Sequence, residues 1–223
     1  MTDIDQNFAE IRQAIAKAEK AARRPAGSVK LVAVTKTQPD SAILAALRTG
    51  QRLFGENYVQ EAETRWQNIK LDYPDLRLHL IGALQSNKAA QAVKLFDCIE
   101  TIDRPKLADA IAAAMKKQNR FPTCFIQVNT GDEFQKGGVP AAELPALLDH
   151  CEKIGLAISG LMCIPPQDEP SAMHFALLEK LALRHKLKEL SMGMSADYKK
   201  AIALGASFIR VGTALFGPRA QNI

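Results

Sequence analysis

The sequence alternates eight short apolar segments with eight segments of helical pattern, and this alternation limits the fold more than any other feature. The apolar segments are rich in β-branched and aromatic residues and end at turn-forming residues, which predicts buried strands. The predicted strands are 30–36, 52–57, 77–82, 96–102, 121–129, 155–164, 188–193 and 207–212. Strands that alternate with helices predict a parallel sheet, and eight repeats predict closure into a TIM-type (β/α)8 barrel. An open doubly wound sheet with fewer strands is the alternative.

A further helical segment precedes the first predicted strand. Phe8, Ile11 and Ile15 recur at helical spacing between residues 5 and 22, which predicts an amphipathic extra N-terminal helix. Asp40 or Ser41 is predicted to cap the next helix, which ends before Gly50. The 223 residues lie within the range of one α/β barrel, and no linker or low-complexity run interrupts them. Residues 1–223 are therefore predicted to form a single domain.

Composition excludes several classes of function. The net charge of +5 comes from scattered lysines and arginines without interleaved aromatic residues, so no nucleic-acid site is predicted. The charged N-terminus lacks a signal-peptide core, and no apolar run is long enough for a membrane span. The cysteines form no CxxC pair and lie in apolar runs, so buried thiols and a reducing, cytoplasmic location are expected. They are Cys98, Cys124, Cys151 and Cys163.

Lys36 ends the first predicted strand, KLVAVTK, and a lysine is unusual in a buried strand. Two interpretations are open. Lys36 either lies just beyond the strand and extends its amine into solvent, or lies partly buried at the carboxyl end of a barrel strand. In the second case, partial burial would lower the pKa of the amine and make it a nucleophile toward an aldehyde.

The last predicted strand and the loop after it suggest an anion site. In barrels, the loops after the seventh and eighth strands often bind phosphate through backbone N–H groups. Gly212 would allow close approach of the backbone, while Thr213 and Ser191 would add hydroxyl donors; an ordinary turn is the alternative. Arg210 is a permanent charge within an apolar strand and requires an anion, or a carboxylate such as Glu56.

Other candidate sites are less well supported. The segment Gly193–Asp197 is not a GxSxG nucleophile motif, and no dinucleotide, Walker or metal motif is present in the sequence. His79 lies within a predicted strand, where a satisfied core histidine is favoured over a proton-transfer role. The glycine-rich, charged loop from Gly131 to Gly138 is a candidate mobile lid or contact surface.

Six ordered segments spread over nearly the whole chain resemble the pyridoxal phosphate homeostasis proteins. They are LVAVTK (31–36), FGENYVQE (54–61), HLIGALQSNK (79–88), GLMCIPP (160–166), LSMGMSADYKKAI (190–202) and IRVGTALFG (209–217). Ala83 departs from the pattern, because proline is more usual there. The resemblance implies a barrel like the N-terminal domain of alanine racemase.

The resemblance also implies a cofactor and the residues that hold it. Pyridoxal 5′-phosphate would form a Schiff base on Lys36, and Arg210 would face the nitrogen of its pyridine ring. The remaining implied contacts are Ser191, Gly212 and Thr213 to the phosphate, Asn57 near the ring and Met194 near the phosphate loop. No metal is implied.

Three functions are open at this stage. The first is a non-enzymatic protein that holds pyridoxal 5′-phosphate, limits its free concentration and supplies it to apo-enzymes through transient contact. The second is a weak amino-acid racemase or related enzyme, although the resemblance implies a tyrosine base from a second domain that this sequence does not show. The third is a structural or regulatory protein without the cofactor. A monomer is expected.

Overall fold

The computed structural model describes residues 3–131, 133 and 137–217, and these form alternating strands and helices. The strands are β1 (Lys30–Val34), β2 (Leu53–Glu56), β3 (Arg77–Leu80), β4 (Cys98–Ile102), β5 (Thr123–Asn129), β6 (Val139–Pro140), β7 (Gly160–Met162), β8 (Glu189–Ser191) and β9 (Phe208–Val211). The helices are α1 (Asp3–Ala21), α2 (Asp40–Arg48), α3 (Val59–Asp72), α4 (Ala89–Leu95), α5 (Pro105–Gln118), α6 (Leu144–Lys153), α7 (Ser171–Arg184), α8 (Tyr198–Ala203) and α9 (Thr213–Phe216).

Eight of the strands close into a parallel barrel. The pairing order runs β4-β3-β2-β1-β9-β8-β7-β5, and β4 also pairs with β5, which completes the circle. Each pairing in the barrel is parallel, as expected when a helix connects successive strands. The predicted (β/α)8 barrel is confirmed. The two-residue strand β6 lies outside the circle and pairs with the end of β5, and it was not predicted.

Several predicted boundaries were wrong. The first strand ends at Val34 rather than Lys36, because the chain turns immediately after Thr35. The sixth predicted strand, 155–164, contains only the three residues of β7, because the buried Leu156 extends the apolar pattern into the preceding loop. The residue before α2 is Pro39, and no side chain caps that helix, so neither predicted cap forms.

The core has two parts, which follow from the alternating faces of the strands. The larger part lies between the outer faces of the strands and the helices. The smaller part lies inside the barrel and consists of Val32, Cys98, Phe125, Met162 and Phe208. The barrel interior is therefore packed with apolar side chains below its carboxyl end, as in other barrels of this size.

The predicted extra N-terminal helix is α1, and it packs beside the last elements of the barrel. Phe8 is fully buried and meets Phe216 edge to face, with ring centroids 6.0 Å apart. Asn7 Nδ2 donates to the carbonyl of Leu215 at 3.0 Å, which fixes the helix against α9. Within the described residues, no helix has the length and apolar character needed to cross a bilayer.

Two further predictions concern the cysteines and one loop. The four cysteines are buried free thiols, as expected. The candidate lid from Gly131 to Gly138 falls partly outside the described residues, because residues 132 and 134–136 are not among them.

Asp97, just before β4, joins three elements and makes stability depend on pH. Its carboxylate accepts hydrogen bonds from Lys70 Nζ at 2.8 Å, the backbone N–H of Leu78 at 2.9 Å and Arg120 Nη2 at 3.0 Å. Burial raises the pKa of Asp97, but these donors outweigh burial and hold the pKa below its usual 3.8. A lowered folded-state pKa contributes stability above the unfolded-state pKa, and this stability is lost as pH falls through the folded-state value.

We expect Asp97→Asn to reduce the acid sensitivity of the fold. Urea unfolding between about pH 5 and about pH 3 should show a smaller loss of unfolding free energy in the variant than in the wild type. Asp75→Asn is the control, because Asp75 pairs with Arg52 but its side chain is 65% exposed. Equal pH dependence of Asp97→Asn and the wild type would contradict this assignment.

Candidate functional site

The predicted site residues meet at the carboxyl end of four neighbouring strands. In the barrel, β2, β1, β9 and β8 are consecutive neighbours, and each is followed by a loop that carries predicted site residues. Gly212 adjoins β1, since a Cβ at this position would contact Val34 at 3.4 Å. Lys36, two residues beyond Val34, therefore lies at the same end of the barrel as the loop after β9.

Lys36 lies in a tight turn that begins at the end of β1. The carbonyl of Thr35 accepts from the backbone N–H of Gln38 at 3.0 Å, so Lys36 and Thr37 are the two central residues of the turn. Thr37 has a φ of 62°, a conformation that a β-branched residue rarely adopts. Lys36 is half-buried rather than fully exposed. Strained backbone of this kind is often retained where it positions a functional group.

A buried carboxylate on β2 holds this turn from behind. Glu56 Oε1 accepts from Thr35 Oγ1 at 2.7 Å, Trp66 Nε1 at 2.9 Å and Arg65 Nη1 at 3.1 Å. The same arginine also donates to the carbonyls on both sides of the turn, those of Thr35 at 3.2 Å and Gln38 at 3.1 Å. Glu56, which is fully buried, and Arg65 therefore fix the backbone on each side of Lys36.

The loops after β8 and β9 meet at the amino end of α9. Ser195 Oγ accepts from the backbone N–H of Ala214 at 3.4 Å, which brings the half-buried serine beside the first turn of α9. Gly212 immediately precedes this turn, and Thr213, its first residue, has an exposed side chain. The N–H groups of Leu215 and Phe216 donate to the carbonyl of Gly212, so the donors that this end could offer to an anion are the N–H groups of Thr213 and Ala214.

Arg210 lies inside the barrel, just below the loops after β8 and β9. Its side chain is buried; Nη1 donates to Ser191 Oγ at 2.7 Å and Nη2 donates to the carbonyl of Cys163 at 2.8 Å. Among the described residues, the nearest carboxylate is that of Glu100, whose Oε2 lies 3.9 Å from Nη1. The sequence had suggested a carboxylate such as Glu56 as the alternative partner. A carboxylate does lie beside Arg210, but it is Glu100, and Glu56 accepts from Arg65 instead.

The other predicted residues lie at the same end of the barrel in different settings. Asn57 follows β2 and is half-buried, while Met194 is 37% exposed in the loop after β8. Gly82 allows the loop after β3 to reach Asn57, because a Cβ there would lie 2.2 Å from the carbonyl oxygen of Asn57. Ser191 is fully buried, and its hydroxyl bonds Arg210 and Glu100 instead of pointing toward the loop of Gly212 and Thr213. Its phosphate role stays a prediction.

Sequence reasoning missed three residues of this end of the barrel. Glu100 was treated as an ordinary strand residue, although a charge within CIETI is the same signal that identified Arg210. Arg65 was treated as a helix residue, and no local pattern shows that it reaches the turn of Lys36. Ser195 was considered only as part of a strand end and as the centre of the rejected GxSxG motif, four residues after the serine that was selected.

The side chains at this end fit a phosphorylated aldehyde with a heteroaromatic ring. A half-buried primary amine, helix-terminal N–H groups with two hydroxyls, and a buried guanidinium are suited to an aldehyde, a phosphate and a ring nitrogen respectively. A cavity of about 1310 Å³ opens at the opposite, amino-terminal mouth of the barrel. Its lining includes Lys30, Arg77 and His79, and the predicted site residues are not part of it.

Comparison with known proteins identifies the class of barrel. Residues 6–220 match the family model of the alanine racemase N-terminal domain. The chain superposes on an alanine racemase from Bartonella henselae with a TM-score of 0.73 at 15% identity, over 99% of this chain and 61% of that chain. At this identity, the likeness shows the fold alone.

Closer relatives narrow the class to one family. The chain is 40% identical to the pyridoxal phosphate homeostasis protein of Haemophilus influenzae, over 97% of this chain and 96% of that protein. It is 36% identical to the protein of the same name in Escherichia coli K12, over 98% of both. The structure of Synechococcus elongatus PipY with pyridoxal phosphate bound covers 96% of this chain and 100% of its own, at 38% identity and a TM-score of 0.82. The chain belongs to the family of pyridoxal phosphate homeostasis proteins.

We expect Glu56→Ala to lower the free energy of unfolding by about 3–5 kcal/mol, because it leaves the partly buried guanidinium of Arg65 without its buried partner. Urea unfolding at neutral pH measures this change. Asp75→Ala, which breaks an exposed pair with Arg52, is the matched control and should cost less than about 1 kcal/mol. Equal losses in the two variants would show that Glu56 does not anchor the turn.

Proposed function

We propose that this protein binds pyridoxal 5′-phosphate as a Schiff base on Lys36 and acts in intracellular homeostasis of the cofactor. The position of the Lys36 turn carries the proposal: a half-buried lysine, whose neighbouring backbone is held by Glu56 and Arg65, lies at the same end of the barrel as the loop of Gly212 and Thr213. Membership of the homeostasis family supports the choice of cofactor, as does the pyridoxal phosphate bound to PipY.

The chemistry of attachment needs no further reactant. The neutral Nζ of Lys36 adds to the aldehyde carbon, the carbonyl oxygen takes up a proton, and loss of water leaves a C=N bond. Addition of water reverses the reaction and returns the free aldehyde and amine. Reversibility suits a protein that stores a reactive aldehyde and later releases it. When bound, the cofactor itself would supply an electrophilic imine and an electron-accepting ring.

The contacts at the phosphate are assigned from the geometry of the two loops. We assign the phosphate to the amino end of α9, with Gly212 allowing close approach and with Thr213 and Ser195 as hydroxyl donors. Met194 precedes Ser195 in the same loop, and Asn57 lies toward the ring. Ser191, which was expected to bind the phosphate, instead orients Arg210 in this assignment, because its hydroxyl already bonds two buried side chains.

Binding without catalysis is the function that these residues favour. Arg210 is a fixed cation, so a ring nitrogen beside it is disfavoured from taking a proton, and the ring becomes a weaker electron sink. The tyrosines are poorly suited to act as a base. Burial raises the pKa of Tyr198, Tyr73 lies against Arg52, and the side chain of Tyr58 is 58% exposed.

A weak racemase or related enzyme is the second candidate, and the alanine racemase family match favours it. The two functions differ in what happens when amino acids are added. Turnover of an amino acid that disappears in Lys36→Ala would establish catalysis. Transfer of the cofactor to an apo-enzyme without turnover over a broad panel of amino acids would establish the carrier.

Lys36→Ala should abolish the long-wavelength absorbance that pyridoxal 5′-phosphate acquires when it forms an imine with the wild-type protein. The reason is that the variant lacks the only amine assigned to the aldehyde. Spectra before and after addition of the cofactor measure this difference. Lys30→Ala, at the opposite end of β1, is the control and should keep the absorbance. An unchanged spectrum in Lys36→Ala would contradict the attachment site.

Ser195→Ala should weaken binding of pyridoxal 5′-phosphate by about ten- to a hundredfold, the usual effect of losing one hydrogen bond to a charged group. Binding of pyridoxal, which has no phosphate, should change little. The ratio of the two dissociation constants, measured by absorbance titration in wild type and variant, separates a phosphate contact from general damage. A parallel loss for both ligands would show that Ser195 does not bind the phosphate.

A further inference from the structure

A chain of buried hydrogen bonds crosses the interior of the barrel beneath the loops of the candidate site. Arg210 Nη1 donates to Ser191 Oγ at 2.7 Å, and Ser191 Oγ donates to Glu100 Oε2 at 2.5 Å. The other oxygen of this carboxylate, Oε1, lies 2.6 Å from Nδ1 of His79. The four side chains come from β9, β8, β4 and β3, and all are buried. We call these four residues the interior network.

The backbone of β4 is irregular at the position of Glu100. Ile99 is paired with Cys124, and the next pair joins Ile102 to Ile126, so β4 has one more residue than β5 in this interval. An extra residue of this kind is a β-bulge, which redirects side chains and is common beside active sites. Cys98 and Glu100 face the barrel interior by ordinary strand alternation, and the extra residue after Glu100 returns Ile102 to the outer face.

An ionised carboxylate in this position is costly unless it has partners. Burial raises the pKa of Glu100, but hydrogen bonds from His79 and Ser191 and the charges of His79 and Arg210 outweigh burial, so the pKa lies below its usual value. The carboxylate is therefore ionised at neutral pH. It is the negative charge nearest to Arg210 among the described residues, at 3.9 Å.

We propose that Glu100 is a positioning residue that holds Arg210 in place and balances its charge, and thereby sets the protonation behaviour of the bound cofactor. This inference rests on the proposed function, since it requires that Arg210 faces the ring of pyridoxal 5′-phosphate. Glu100 acts through Ser191 and Arg210 and does not itself touch the cofactor.

The effect of Glu100 on the cofactor is electrostatic. With Glu100 ionised, the carboxylate offsets the charge of the guanidinium, so the cofactor experiences less positive charge than Arg210 alone would supply. Without the carboxylate, the guanidinium is unbalanced, and a nearby protonated imine is disfavoured. The other titratable groups around Glu100 are His79 on β3 and the thiol of Cys98 on β4, whose pKa burial raises well above its usual value.

The far end of the interior network is His79. Its ring packs against Phe208 with centroids 5.3 Å apart, and His79 lines the cavity at the amino-terminal mouth. The interior network therefore links that mouth to the cofactor end. Replacement of His79 tests whether its contact with Glu100 helps to hold Arg210 in place. His79→Asn retains an N–H donor near the position of Nδ1, whereas His79→Leu leaves Glu100 Oε1 without this partner.

The decisive experiment is a pH titration of the imine absorbance in the wild type and in Glu100→Gln, both loaded with pyridoxal 5′-phosphate. Loss of the carboxylate charge should shift the titration midpoint of the protonated imine downward by about one pH unit. Thr101→Val is the matched control: Thr101 is the buried neighbour on the same strand, and the change removes a hydroxyl but no charge. Its midpoint should equal that of the wild type.

Ser191→Ala separates charge from hydrogen bonding and remains available if Glu100→Gln does not fold. It keeps both charges but removes the link between them. We therefore expect a small midpoint shift but a faster loss of cofactor on dilution, by about tenfold, because Arg210 is less firmly held. His79→Leu should resemble Ser191→Ala in its rate of cofactor loss, and His79→Asn should resemble the wild type.

Negative results would bear either on the proposed function or on this inference alone. A wild-type protein without imine absorbance would overturn the proposed function and this inference with it. A normal wild-type titration with unchanged midpoint and release rate in Glu100→Gln, or with unchanged release in Ser191→Ala, would overturn this inference alone. Equal shifts in Glu100→Gln and Thr101→Val would also overturn it, since they would reflect general disturbance of β4.

Discussion

The parallel pairing between β1 and β9 is the constraint on which the rest of the site depends. It closes the circle between the first and last strands through four registered pairs, from Lys30 with Phe208 to Ala33 with Val211. This register brings the turn of Lys36 beside the loop of Gly212. A slip of one residue would also turn Arg210 from the barrel interior toward the helices, since successive side chains point to opposite faces. The positions of the Lys36 turn and of the Arg210 guanidinium therefore both follow from the register of β1 against β9.

Two buried carboxylates support the site from different sides. Glu56 lies behind the turn of Lys36 and holds it with Arg65, while Glu100 lies inside the barrel and pairs with Arg210. Each carboxylate has an arginine partner and hydroxyl or ring donors, which is what makes its burial tolerable. The two carboxylates thus hold, without direct contact to the cofactor, the groups that would meet the aldehyde and the ring nitrogen.

The sequence was sufficient for the barrel and for the location of the predicted site residues at its carboxyl end, because those residues lie at or just after the ends of buried strands. It was not sufficient for the residues that hold them. Arg65 is distant in sequence from the turn it binds, and Glu100 meets His79, Ser191 and Arg210 only because barrel closure brings their separate strands together. Ser191 and Ser195 differ by four residues, and only three-dimensional structure shows which lies at α9.

In the proposed function, the separation between residues that would touch the cofactor and residues that hold them would let one site combine retention with release. Retention needs a fixed amine, and the strained Thr37 shows that the turn is held by its surroundings, since an isolated threonine disfavours a positive φ. Release needs a covalent bond that water can reverse, with no interaction elsewhere strong enough to hold the cofactor alone. The guanidinium of Arg210, whose charge Glu100 offsets, meets this need. It would orient the ring nitrogen without adding an unbalanced positive charge, which would bind the anionic cofactor whether or not the imine had formed. The buried carboxylates thus favour a cofactor held firmly only while its Schiff base is intact.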